Sequence, residues 1–318
     1  MKKKSCLLIL IAMIGSLSSC KQTSNENKVE TTPDSVVTIF GDYATSEYNQ
    51  RKEGYDFVTV SVTQLNDSMA TIAVRSRADK KNPTCRFDAL GKLIGKDTVL
   101  VRKDGESIYF TLHADTLNVS ASNPYSLNYY CSGGASLDQD YIRLKAPLDR
   151  ALLDPRTYAQ VLNDKNISFN IDVTGDTLTI TPYGLSKINE PVKQDITGYT
   201  VTNAEIGDLN TDGYPEVLIY LTSDGSGSYG KLIGYSVNNG KSMSQICMPE
   251  LTDNKDASKG YMGHDEMAIV ETTLCRRFPV YKDGDPNAKP TGGIRQLQYK
   301  LKDGEACRKL VIDKIVEY

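Results

Sequence analysis

From residue 35 onward the chain alternates apolar and polar positions far more often than it repeats them at helical spacing. Alternation sends successive side chains to opposite faces of an extended backbone, so it predicts strands. Ala70 to Arg77, Thr98 to Arg102 and Ser107 to Leu112 read as three of them. Asp104-Gly105 lies between the last two and predicts a type I′ hairpin, because both central positions of that turn need positive φ. A further hairpin pairs Tyr109–Leu112 with Thr116–Val119 across His113-Ala114-Asp115, and the unit closes near Tyr141 to Lys145. The rhythm breaks between Ala146 and Ile167. There Asp154-Pro155 offers an N-cap and an N1 proline, which predicts a short helix over Pro155–Leu162 and a domain junction. Strands then return at Ser168–Val173, Thr177–Thr181, Glu216–Leu221, Lys231–Val237, Met267–Thr272 and Arg295–Leu301. Asn239-Gly240 predicts a second type I′ turn, and Lys302-Asp303-Gly304-Glu305 repeats the earlier KDGE tetrapeptide as a turn into Lys309–Glu317. The expected fold is mainly β: two small β-barrel or β-sandwich domains, 35–150 and 167–318, joined by a short helix in a linker at 151–166.

The N-terminus carries a different pattern. Lys2, Lys3 and Lys4 precede an apolar run from Leu7 to Ile14, and Leu17-Ser18-Ser19-Cys20 follows. That run is too short to span a bilayer, which favours a cleaved signal over a transmembrane helix. The tetrapeptide resembles a bacterial lipoprotein signal, which implies that residues 1–19 are removed and Cys20 is lipidated. Residues 20–34 are polar and without apolar period, as a flexible tether would be. The expected localisation is the cell envelope, lipid-anchored to the inner or outer membrane and facing the periplasm or the cell surface, in an oxidising environment.

Composition narrows the partners. The net charge is −3, and loss of the three signal lysines makes it −6. The acidic excess lies mostly after residue 150, and no strong basic patch invites nucleic acid. Cysteine is too sparse for a disulfide scaffold of this size. Cys85 and Cys131 share the first domain and are expected to pair; Cys247, Cys275 and Cys307 share the second, so two of them can pair in any combination and one is left over. His113 and His264 stand apart from each other and from cysteine, against a zinc site.

Asp208, Asn210 and Asp212, with Gly213, the Tyr214 carbonyl and Glu216, space oxygens as a calcium loop does. The run resembles the calcium loops of integrin-type repeats and dockerins, although Ile219 stands where an EF-hand places glutamate. An Asx-rich turn into the Glu216–Leu221 strand would read the same. Gly225-Ser226-Gly227-Ser228-Tyr229-Gly230 satisfies GxGxxG, but a strand and not a helix is expected after it, so there is no helix N-terminus to hold a pyrophosphate. What remains is an exposed Gly/Ser loop with a tyrosine, shaped for entry into another protein's cleft. Gly263-His264-Asp265-Glu266 has no nearby nucleophile, and no enzyme activity is expected. Thr291 and Gly292, followed by Arg295, form a loop whose arginine could reach a partner's carboxylate.

The series SGSYG (226–230), YSVNNGKSMSQI (235–246), KGYMGHDE (259–266), RRFPVYKDGDPNAKPTGG (276–293) and QYKLKDGEA (298–306) resembles the periplasmic inhibitors of invertebrate-type lysozyme. The likeness covers roughly residues 167–318. It implies a compact β domain that blocks a lysozyme by inserting Ser226, Gly227, Ser228 and Tyr229 into the cleft, with Thr291, Gly292 and Arg295 as a second contact loop. Lysozymes hold one carboxyl protonated beside a second carboxylate, and loop hydroxyls and amides can hydrogen-bond such a pair. Tyr129-Tyr130-Cys131-Ser132-Gly133-Gly134 bears a fainter likeness to the membrane-bound inhibitors of chicken-type lysozyme, and no inhibitory site is assigned there. The alternative is a calcium-dependent surface adhesion or glycan-binding module organised by Asp208–Glu216.

Overall fold

The computed structural model describes residues 38–318; the signal, Cys20 and the whole tether lie outside the described residues. The first unit is a closed barrel of eight antiparallel strands: β1 (Gly41–Ala44), β2 (Val58–Gln64), β3 (Met69–Ser76), β4 (Arg86–Ile94), β5 (Thr98–Lys103), β6 (Glu106–His113), β7 (Thr116–Ala121) and β8 (Asp140–Arg143). β8 returns to pair with β1, Ala44 opposite Ile142, and this closure removes the open edges. Inward positions alternate along each strand, and Val60, Ile72, Val74, Val99, Phe110 and Leu117 are buried in one core. Asp104 and Gly105 adopt φ of 53° and 81°, as the type I′ turn demands. Cys85 and Cys131 are disulfide-bonded, as expected from their shared domain.

The second unit is a stack of three four-stranded antiparallel sheets. The first holds β9 (Arg156–Asp164), β10 (Ile167–Thr174), β11 (Thr177–Tyr183) and β12 (Val192–Asp195). The middle one holds β13 (Tyr199–Gly207), β14 (Glu216–Ser223), β15 (Gly230–Asn238) and β16 (Ser242–Gln245). The third holds β17 (Glu266–Val270), β18 (Thr273–Pro279), β19 (Ile294–Lys302) and β20 (Lys309–Glu317). The middle sheet is covered on both faces. Val217, Ile219 and Leu221 pack with Phe169, Ile171 and Ile180 of the first sheet. Leu218 and Tyr220 point the other way, into Leu274, Phe278 and Leu297 of the third. A strand buried on both sides needs apolar residues at both parities, which is why Val217–Leu221 is one unbroken apolar run.

The mainly β fold is the one the alternation predicts, but the junction differs. Pro155–Leu162 is not helical: residues 156–164 form β9, hydrogen-bonded to β10 with Leu162 opposite Phe169. Tyr158 and Leu162 lie on one face of that strand and pack against the core, a period of two that outweighs the capping signal. Asp154 does accept a hydrogen bond from the Arg156 N–H at 3.1 Å, but it orders an extended chain. The C-terminal unit therefore starts at Arg156, and a boundary at 167 would cut the β9–β10 hairpin. The second KDGE is also not a tight hairpin; β19 and β20 are joined across residues 303–308. The described residues contain one α-helix, the single turn Lys255–Ser258.

A ladder of alternating charges welds the two units. Arg75 meets Asp88 at 2.7 Å, Asp88 meets Arg86 at 2.6 Å, and Arg86 reaches Asp154 at 3.8 Å. Arg156 then joins Asp154 at 2.9 Å to Asp172 at 2.6 Å. The Asp154 side chain is 1% exposed. Burial pushes its pKa up, but the hydrogen bonds and charge of Arg156, with Arg86 behind, outweigh that and hold it below the ordinary 3.8. A lowered carboxylate pKa contributes stability that is complete above the unfolded value and is lost as pH falls through the folded one. Asp154→Asn should therefore cost about 3 kcal/mol at neutral pH by urea unfolding, since it removes the buried anion that Arg86 and Arg156 share and leaves them only the outer partners Asp88 and Asp172. The variant's loss should shrink as the pH is lowered below 3.8.

Candidate functional site

The Ser226–Tyr229 segment lies in the connection between β14 and β15, at one end of the middle sheet. Its base is closed by two hydrogen bonds: the Ser223 N–H donates to the Tyr229 carbonyl and the Tyr229 N–H to Ser223 Oγ, both at 2.9 Å. Ser228 sits at φ 45°, so the loop reverses sharply before entering β15. A strand follows Gly230, which agrees with rejecting a dinucleotide fold. Tyr229 is 45% exposed.

The loop rests on the GHDE segment. The His264 N–H donates to the Gly227 carbonyl at 2.9 Å. That approach needs glycine at 263, because a Cβ there would overlap the Gly227 carbonyl and the backbone φ is +92°. Behind the loop, Asp265 accepts from the Gly230 N–H at 2.7 Å, the Tyr261 phenol at 2.6 Å and Arg276 Nε at 2.6 Å. Arg276 Nη2 closes the circuit by donating to the Tyr261 oxygen at 2.8 Å. The Arg276 and Asp265 side chains are 7% and 1% exposed, so this is a buried ion pair with its remaining hydrogen-bond capacity largely used. Burial alone would lower the Arg276 pKa, yet the charge and hydrogen bond of Asp265 leave it raised. The Tyr261 ring stands edge-on to both Tyr229 and Phe278, at centroid distances of 5.7 and 4.7 Å, and so links the exposed tyrosine to the core. Tyr229 and Tyr261 also wall a cleft of 940 Å³ that runs past Lys231, Met248 and Glu250.

The second loop lies beside the first, through different residues from those expected. Asn287 Nδ2 donates to the Ser226 carbonyl at 3.4 Å, and Asn287 Oδ1 faces His264 Nε2 at the same distance. Thr291 is tied to Asp285 by its N–H and its hydroxyl, and the Gly292 N–H donates to the Val280 carbonyl. Arg295 turns inward, which corrects its reading as a contact residue. It is 5% exposed and is spent on Glu317, the Ala257 carbonyl and the Lys259 carbonyl.

The acidic turn is organised by its own backbone and by an arginine. Asp208 accepts from the Asp212 and Gly213 N–H groups, and Asp212 accepts from the Tyr214 N–H. Asn210 Nδ2 donates to Asp212 at 3.0 Å. Glu216 is fully buried and accepts from the Ser236 hydroxyl at 2.6 Å and the Leu209 N–H at 2.7 Å. Arg308 enters the turn, 2.8 Å from Asp212 and 3.7 Å from Glu216. Among the described residues, no group of three or more acidic, histidine or cysteine side chains is placed to hold a metal ion. Arg308 thus brings a guanidinium to two of the carboxylates that the calcium-loop reading would use. Cys307, next to Arg308, is bonded to Cys247, and among the described residues Cys275 is the free thiol, its pKa raised by burial.

Asp265, Arg276 and Asn287 are the supporting residues; the sequence offers Asp265 only as a rejected catalytic candidate and gives Arg276 and Asn287 no role. Arg276 carried a signal: it shares the core parity of β18 with Leu274 and Phe278, where a charge needs a buried partner. No family model and no curated protein matches the chain.

Two outcomes are expected here. Arg276→Met should cost roughly 3–5 kcal/mol in chemical denaturation, because it strands the Asp265 carboxylate. Glu216 has a raised pKa, with burial as the leading cause, so its ionisation works against folding as pH rises through the folded value. Arg308→Met removes the compensating cation, and its loss of melting temperature should therefore be larger at pH 7 than at pH 4.

Proposed function

We propose that the protein is a lipid-anchored inhibitor of lysozyme, held to the envelope through Cys20, with the Ser226–Tyr229 loop as its key. The observation that carries this reading is the mounting of the loop. Tyr229 is exposed at the end of a doubly covered sheet, while the backbone beneath it is fixed by Asp265, His264 and Arg276. A loop ordered before binding loses less conformational entropy on association, which is what insertion into a narrow cleft requires. The free hydroxyls of Ser226, Ser228 and Tyr229 supply donors to an acidic target, and the neighbouring 281–293 loop widens the contact. Thr291 and Gly292 stay in that second contact; Arg295 does not. The mechanism is occlusion of the substrate cleft and needs no turnover. Invertebrate-type lysozyme is the target that the sequence resemblance favours, with protection of peptidoglycan as the result.

The calcium-dependent alternative has weaker support, since Arg308 already supplies positive charge to the Asp208–Glu216 turn.

The test is lysis of peptidoglycan by invertebrate-, chicken- and goose-type lysozymes with the mature protein present. Inhibition of the invertebrate type is expected. Tyr229→Ala should weaken it at least tenfold, the scale of a central aromatic anchor, with the fold retained and only the small loss of melting temperature expected from the edge-on contact with Tyr261. A folded protein that inhibits none of the three would overturn the proposal.

A further inference from the structure

A second cleft lies far from the SGSY loop in the chain and rests on none of the lysozyme reading. It is a 630 Å³ groove between the barrel and the first sheet of the C-terminal unit. Tyr129, Tyr130 and Ser132 border it from the barrel side, and residues 156–161 of β9 with Asn170 and Asp172 of β10 border it from the other. The expected chemistry follows from three features.

The first is an aromatic platform. Tyr129 is 79% exposed, although it belongs to a short turn fixed by the Cys85–Cys131 disulfide two residues on. Tyr130 beside it is anchored, edge-on to Phe87 at 4.7 Å, with its phenol donating to Asp104 at 3.0 Å. An exposed ring next to a fixed one presents a flat apolar surface with hydroxyls at its margin. The second feature is charge cancellation. The arginines and aspartates along the groove, Arg75, Arg86 and Arg156 with Asp88, Asp154 and Asp172, are consumed by one another in the ladder described above. Lys103 is the one lining charge outside the ladder, and Asp104 next to it in sequence accepts from the Tyr130 phenol. Beyond that rim, an anion or a cation would have to break pairs that hold the two units together.

The third feature is a surplus of uncharged hydrogen-bonding groups. β9 is the edge strand of its sheet, so main-chain groups on its outer side have no strand partner. Asn170 adds a free amide and Gln160 an amide N–H, while the Gln160 oxygen already accepts from the Tyr158 phenol and the Thr202 hydroxyl donates to the Tyr220 carbonyl. A ligand matching all three features is neutral, dense in hydroxyls and flat enough on one face to stack on a ring. We propose that this interdomain groove binds a neutral oligosaccharide, with Tyr129 as the stacking platform and the β9 edge, Gln160 and Asn170 as the polar wall. Location at the seam of two units is where such sites commonly form.

The test uses the whole mature protein and four defined sugars: malto-, cello-, laminari- and chitohexaose. Binding of each is followed by titration calorimetry and by the intrinsic fluorescence of tyrosine, since the chain has no tryptophan. At least one sugar is expected to bind. Tyr129→Ala should weaken that binding about tenfold, the effect of losing one stacking ring. Its melting temperature should not move, because the ring is exposed, and Asn170→Ala should weaken binding several-fold. Tyr229→Ala should leave sugar binding unchanged, which separates this site from the inhibitory loop. Failure of all four sugars at millimolar concentration, or binding retained in full by Tyr129→Ala, would overturn the proposal.

Discussion

Two-sided burial of the middle sheet is the constraint from which the C-terminal unit follows. A sheet with solvent on one face can carry polar residues along its length, but one covered on both faces can carry them only at its ends and edges. β14 accordingly has no exposed residue along Glu216–Leu221, and its one charge, Glu216, sits at the strand entrance with both oxygens hydrogen-bonded. Chemistry is displaced to the connections. The Asp208–Glu216 turn feeds one end of β14 and the Asp224–Tyr229 loop leaves the other. The two motifs that stand out in the sequence thus stand at opposite ends of one strand, for a single reason.

Charge is handled in the same way in both units: where it is buried, it is paired and its hydrogen bonds are taken up. Asp154 between Arg86 and Arg156, Asp265 with Arg276, and Glu216 with Arg308 are three such places. Removing one partner costs more than the pair contributes, because the remaining ion is stranded in a poor solvent. Such pairs are more convincing as positioning devices than as sources of net stability. Asp154 bridges Arg86 of the barrel to Arg156 of β9, Asp265 holds the loop, and Arg308 ties the segment before β20 to the end of the middle sheet.

Strands and tight turns were legible because they depend on neighbours in sequence. Alternation at Met69–Ser76 and Asp-Gly at 104–105 report local backbone preference, and the structure agrees at both. Pro155–Leu162 misled because its helix signals are local while the decision is made by Phe169 and Val201, which bury Tyr158 and Leu162 in a strand. Layering was illegible for a related reason: three meanders of similar strand length have the same alternation whether they form one sandwich or a stack. At the loop, the exposed residues were readable from Gly, Ser and Tyr. Their support was not, since Asp265 lies 35 residues from Gly230 and nothing local joins them. Arg295 shows the opposite failure, an arginine placed beside a Gly-Gly turn as if for a partner and turned instead toward its own chain.

The Cys247–Cys307 bond closes 60 residues that contain the GHDE segment, β17, β18, β19 and the loop around Asn287. Its contribution to stability is of the order expected for a loop that long, about 4 kcal/mol. The topology has a second effect. Residues 282–284 and 286–289 are exposed, so a protease can cut inside the covalent ring. One cut there opens the ring but releases nothing, because both new ends remain joined through sulfur to β16 and β20. The nicked chain keeps β17 to β20 in one covalent assembly, with Asp265 and Arg276 outside the cut segment, and wear on the surface need not become loss of the domain.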